Sequence, residues 1–396
     1  MRIFIVVLIC ILAGVSCQNK PHYTISGKIS GDAEGMRVFL SKDAYPEPVL
    51  IDSTVIKGGK FVFEGVVEEP DRYLIGIDKT KKGEPFSERN MTRSTFYLEN
   101  SPITFSGHID SLTTAYWSRT AKKPAVVTGS AMENLYQKYL AEGRELRKRL
   151  GEANERYLKE YHVPALEGVF NKEIGIKIAR EMEGLEKQLA EIKWEFVKNN
   201  IRTVVGYDLA KQYFQDMYVT ITPEQIDELV ALVNEAWPNT ARATEFKKLA
   251  DNGKRIAVGA KYPDIELTNT EGKKVKLSEY VPAGKYVMLE FWASWCGPCR
   301  GEIPHLREVY KEYKDKGFEI VSISIDRDNK AWKKAMKEER MVWTQLNDPG
   351  EFKGPVTQVY NVLGVPTCIL LDKEGHIFKT NMRGAQLDAV LEEIYN

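Results

Sequence analysis

The tightest constraint on this chain is Trp295-Cys296-Gly297-Pro298-Cys299, two thiols three residues apart between segments of opposite periodicity. Before it, Tyr286-Val287-Met288-Leu289-Glu290-Phe291-Trp292 is a nearly unbroken apolar run, which predicts a buried strand. After it, from Arg300 to Lys316, apolar residues recur at Ile303, Leu306, Val309, Tyr310 and Tyr313, which is helical spacing. The junction therefore puts Cys296 at a helix N-terminus, where unpaired backbone N–H groups favour an anion. A thiolate is such an anion, and it is the form that attacks disulfides. Gly297 and Pro298 keep the bend short, so the two sulfurs can close a disulfide with little distortion.

About 70 residues downstream, Val365-Pro366-Thr367 precedes the apolar strand Cys368-Ile369-Leu370-Leu371. Proline cannot donate to a sheet ladder, so it belongs at a strand start, where a locked cis bond is a designed feature. Together these pieces resemble the thioredoxin fold. They resemble most the TlpA/ResA-like thiol-disulfide oxidoreductases, whose domain often opens as Val258-Gly259-Ala260-Lys261-Tyr262-Pro263-Asp264 does here. The likeness continues through Glu271-Gly272 and Leu277-Ser278 and covers residues 256–396.

That resemblance implies site roles. Cys296 is the nucleophile and Cys299 the resolving thiol. Glu290, six residues before Cys296, matches an acidic position of thioredoxins. A carboxylate buried there has a raised pKa, suited to proton transfer near neutrality. Glu302, three residues after Cys299 on nearly the same helix face, matches a glutamate of ResA-like proteins. The alternative for each is a solvated carboxylate. Pro366 is expected cis beside the sulfurs, leaving the Val365 backbone to pair with an extended peptide. Trp295, Gly297 and Pro298 complete the substrate groove, with Trp292 as a further apolar wall or as core. Pro304 is expected to kink the active-site helix. The Gly-Pro dipeptide resembles that of thioredoxin, which implies a reductant of protein disulfides. By resemblance, possible tasks include cytochrome c maturation, and electrons come from a membrane protein. No cofactor beyond the dithiol is implied.

The N-terminus reads as an export signal. Arg2 precedes an apolar run from Ile3 to Val15, too short to span a bilayer. Gly14-Val15-Ser16-Cys17 resembles a bacterial lipobox, making Cys17 the lipidated residue of a periplasm-facing, lipid-anchored protein; an ordinary cleaved signal is the alternative. Cys10 is then lost with the signal and Cys368 is left unpaired inside a strand, either a small buried hydrophobe or a regulatory thiol. An oxidising compartment gives a Cys-x-x-Cys pair meaning.

The expected organisation is a signal peptide at 1–17, a β-rich domain at 22–120, a helical region at 128–255 and a thioredoxin-like α/β domain at 256–396. In the β-rich part, short runs at 24–29, 37–40, 59–65, 73–77, 94–98 and 103–107, parted by Gly, Pro and Asp, predict a small all-β sandwich or barrel. It resembles the uncharacterised β-domain that precedes thioredoxin-like domains in Bacteroidetes lipoproteins. Helices are predicted at 130–148, 172–199, 205–217, 222–236 and 242–249, with Asn252-Gly253 as the turn into the last domain. Asp328 is predicted to cap a further helix, and 372–375 to form a hairpin turn.

Composition narrows the function. The chain has 56 basic and 56 acidic residues among 396, so it lacks the basic footprint of a nucleic-acid binder. A zinc site needs a second Cys pair or paired histidines, and none accompanies Cys296 and Cys299. A related peroxidase would carry Pro and Thr or Ser ahead of its cysteine; Leu289 and Ala293 stand there instead. A binding or sensor lipoprotein with secondary redox activity is the other alternative.

Overall fold

The computed structural model describes residues 21–44, 47–80, 83–114, 122–215 and 219–396. Residues 1–17, expected to be a signal peptide and holding Cys10 and Cys17, lie outside the described residues. The chain divides into two compact units, one reaching to Gln137 and one from Lys138 to Asn396.

The first unit is all-β. Its strands are β1 (Tyr23–Ser30), β2 (Arg37–Lys42), β3 (Val49–Val55), β4 (Lys60–Gly65), β5 (Asp71–Ile77), β6 (Ser94–Leu98), β7 (Pro102–His108) and β8 (Val126–Thr128). They form two four-stranded sheets, β4-β1-β7-β8 and β3-β2-β5-β6, with β1 and β7 parallel. Alternation builds the core: Phe61 and Phe63 point inward from β4, while Lys60, Val62 and Glu64 face out. Ile25, Val38, Ile75, Phe96 and Phe105 of both sheets join them in one cluster, which makes the unit a sandwich. The β3 strand is absent from the sequence-based expectation. It is an exposed edge with no inward face, so no alternation marks it.

Helix α1 (Ala131–Glu142) leads to α2 (Arg144–Tyr157), a π turn at Leu158–His162 and α3 (Val163–Leu166). Then come α4 (Lys172–Asn200), α5 (Val204–Gln215), α6 (Pro223–Ala236) and α7 (Ala241–Lys254). The single helix expected over 130–148 is interrupted at Gly143. Thr222 and Gln225 cap α6 reciprocally.

The expected turn at Asn252-Gly253 is instead helical, because α7 runs on to Lys254. Gly253 is there for closeness: a Cβ would lie 2.5 Å from Phe214 Cδ1. Gly253→Ala is therefore expected to lose about 1–2 kcal/mol, the overpacking outweighing the better helix propensity. Denaturant unfolding checks it.

The remaining elements form a seven-stranded sheet covered by helices. They are β9 (Glu266–Asn269), β10 (Lys274–Lys276), β11 (Tyr286–Trp292), α8 (Gly297–Tyr313), β12 (Phe318–Ser324), α9 (Asn329–Glu338), β13 (Thr344–Asn347), α10 (Pro355–Val359), β14 (Thr367–Leu371), β15 (Ile377–Thr380) and α11 (Ala385–Tyr395). The order is β10-β9-β13-β12-β11-β14-β15. The strand β11 lies inside the sheet, parallel to β12 and antiparallel to β14. Asp328 caps α9 by accepting from Lys330 and Ala331 N–H. Among the described residues no helix is long and apolar enough to cross a membrane.

Candidate active site

The carboxyl end of β11 delivers the chain to the start of α8. Two devices hold the loop between them. Asp326 accepts from both the backbone N–H and the hydroxyl of Ser294, at 2.8 and 2.6 Å, pinning the loop to the end of β12. Cys296 itself is the N-cap, and its Sγ accepts from the Cys299 N–H at 3.2 Å. Pro298, without an N–H, fits the first turn. The chain thus aims a backbone donor and a helix dipole at one sulfur.

Cys296 and Cys299 are joined by a disulfide with Cα atoms 5.3 Å apart. Cys296 is 5% exposed and Cys299 1%, so a partner reaches Cys296 first. The Val365–Pro366 bond is cis, and the Val365 carbonyl oxygen lies 3.6 Å from Cys296 Sγ. Trp295 is 57% exposed, its ring 6.3 Å from that of Phe352, which forms an apolar rim. Gly297 faces open space. Trp292 is no wall: it is fully buried in the core beneath the disulfide, because it belongs to the sheet and not to the loop.

Glu290 lies on β11 opposite Cys368 on β14 and Ser322 on β12. Burial pushes its carboxyl up to about 8; the Ser322 hydroxyl opposes this and the negative charge of Glu302 adds to it. Its Oε2 has no hydrogen-bond partner among the described residues. Cys368 is buried in the same core as the disulfide, and burial pushes its thiol up.

Glu302 is mostly buried, not solvated. Burial works against its charge, but the His305 hydrogen bond and charge and the Gly384 N–H hold its carboxyl below the usual range. Gly384 donates at 2.7 Å, and His305 Nδ1 stands 3.2 Å from the same oxygen. His305 Nε2 stands 3.0 Å from Asp388 Oδ2. Asp326 and Asp388 have no part in the sequence-based expectation, and His305 enters it only as the nearby histidine that makes no zinc site. The i, i+3 spacing of Glu302 and His305 was a usable signal; Asp388 offered none. Among the described residues, no group of three or more His, Cys, Asp and Glu side chains is arranged to hold a metal.

A buried Cys-x-x-Cys disulfide capping a helix, beside a cis-proline just before β14, defines a thioredoxin-fold redox protein. A model of the AhpC/TSA family matches residues 258–380, and one of a domain of unknown function, DUF4369, matches residues 23–136. The chain is similar to the thiol-disulfide oxidoreductase ResA of Bacillus thuringiensis subsp. konkukian, at 34% identity over 139 residues, 35% of this chain and 77% of that protein. It is 30% identical to ResA of Bacillus subtilis over 141 residues, 36% of this chain and 75% of that one. Among solved structures, the thioredoxin domain of a thiol-disulfide oxidoreductase from Bacteroides vulgatus is 37% identical, covering 35% of this chain and 99% of that one, with a TM-score of 0.33. The chain belongs to the ResA-like thiol-disulfide oxidoreductases.

Proposed function

We propose that this protein is a lipid-anchored reductant of protein disulfides, held to the membrane through Cys17, facing the periplasm and resupplied with electrons by a membrane protein. Maturation of cytochrome c is a task that fits this chemistry. The Cys296–Cys299 pair at the start of α8, with only the first sulfur reachable, supports this reading most.

The cycle has two exchanges. The reduced Cys296 thiolate attacks a substrate disulfide, forming a mixed disulfide and releasing one substrate thiolate. Cys299 then loses its proton and attacks Cys296 Sγ, which releases the second substrate thiolate and closes the enzyme disulfide. The substrate gains two electrons and the dithiol loses two. A donor dithiol reverses both steps on the enzyme.

Glu290 and Glu302 divide the proton work, since their surroundings push their pKa values apart. Glu290 carries a proton at neutral pH in the disulfide form. It gives that proton to Cys299 as a donor thiolate opens the disulfide, and takes it back in the substrate half of the cycle. Glu302 stays ionised, and its field adds to the burial that keeps the Glu290 pKa up. Val365, Pro366, Trp295, Gly297 and Pro298 line the path of an extended substrate.

The Cys299→Ser variant tests this cycle. Full-length protein is expected to stall as a mixed disulfide that added dithiol releases, with turnover lost by at least about a hundredfold. Failure to accumulate any mixed disulfide with insulin contradicts the cycle. For the direction of flow, equilibration with glutathione is expected to give a potential near the roughly −270 mV of thioredoxin; a value above about −180 mV contradicts a reductant.

A further inference from the structure

The helical segment ahead of the thioredoxin-like domain reaches into the redox site through one buried cluster. Cys299, Glu302 and His305 follow one another at three-residue spacing on one face of α8. Glu302 and Asp388 flank the His305 ring, one at each nitrogen. Where both carboxyls are ionised, both ring nitrogens donate and the imidazole is a cation. Asp388 takes a further hydrogen bond from the Tyr161 hydroxyl at 3.2 Å. Tyr161 sits on the π turn, a distortion often found at functional sites, and is 1% exposed. Its ring meets His305 edge-on, 6.4 Å away at 86°. A Cβ on Gly175 of α4 would lie 2.4 Å from Tyr161 Cδ2, so the tyrosine ring packs directly against the α4 backbone.

We propose that His305 is a positioning residue of the disulfide-exchange reaction: clamped by Asp388 and by Tyr161 of the helical segment, it holds the Glu302 carboxylate ionised and in place beneath Cys299. This rests on the role given to Glu302 above. It also gives residues 157–172 a part in the chemistry.

The charges around the clamp support it. On its own helix His305 faces Glu302, and from α11 it faces Asp388. From the helical segment come Tyr161, Tyr157 beside it, and Lys172, whose Nζ is 4.0 Å from Asp388 Oδ1. Arg383 acts on Glu302, and from the sheet Glu290 and Cys368 feel the Glu302 charge. Burial pulls the His305 pKa down, but Asp388 and Glu302 together push it to about 9. Removing the cation leaves two buried carboxylates facing each other, so one takes up a proton.

The test follows oxidation of the reduced full-length protein by insulin between about pH 6 and pH 9. His305→Gln is expected to slow it about tenfold at pH 6 and to recover towards wild type as pH rises and Glu302 ionises again. Tyr161→Phe is expected to slow it about two- to threefold in the same direction. Because His305 acts through Glu302, the double variant Glu302→Gln/His305→Gln is expected to be no slower than Glu302→Gln. Should His305→Gln not fold, Tyr161→Phe carries the test alone. Wild-type pH profiles in the folded variants, or additive losses in the double variant, overturn the inference while a slowed Glu302→Gln leaves the Glu302 role standing. An unaltered Glu302→Gln removes that role and the inference with it.

Discussion

Cys296→Ser is expected to reduce insulin-disulfide turnover by at least about a thousandfold. A serine hydroxyl neither ionises near neutral pH nor forms a bond to sulfur that exchange can reverse. Cys299 does not substitute for it, being 1% exposed under the first turn of α8. Cys368 does not either, since it lies in β14 with a thiol that burial keeps protonated. Comparing reduced proteins by circular dichroism separates lost chemistry from lost folding. Residual turnover within tenfold of wild type would assign the activity to another group and favour a binding protein with incidental redox chemistry.

The second large effect is on stability against pH. Glu290 is pushed up to about 8 in the folded chain, chiefly by burial. Between pH 4.5 and pH 8 the folded state therefore binds more protons at this site than the unfolded state does, and stability falls as pH rises. Over the 2.5 units from 4.5 to 7, at up to about 1.4 kcal/mol each and less near 4.5 where the unfolded carboxyl is half-titrated, the loss is about 3 kcal/mol. Glu290→Gln removes it. The variant is expected to gain on wild type by about 3 kcal/mol between those pH values, while disulfide exchange slows most near pH 8. Urea unfolding at both pH values checks the first part. A wild-type slope in the variant would mean that Glu290 is ionised in the fold.

Much of the site was legible because its signals are local. The apolar run of β11, the Cys-Gly-Pro-Cys bend and the helical spacing after it adjoin in sequence. Asp328 announced its helix, and Pro366 its strand start. What escaped depends on distant partners. The strand β13 reads as polar because Gln345 and Asn347 are buried, and Asn347 donates inward to the Ser324 and Asp326 carbonyls. Asn252-Gly253 looks like a turn, yet Phe214 needs a glycine beside it within α7. The residues 130–148 carry helical spacing throughout, and nothing in that pattern shows a break at Gly143. Tyr161 and Asp388 are separated by 227 positions and meet only after folding. Trp292 sits next to the motif but turns into the core, a choice that strand register makes and spacing alone does not show.

The most direct measurement is the pH dependence of alkylation at Cys296 in the reduced full-length protein. A sulfur capping α8, with the Cys299 N–H aimed at it, is expected to react half-maximally below about pH 7. A midpoint at the ordinary thiol value of about 8.5 would contradict a thiolate stabilised by the helix start, and with it the account of catalysis.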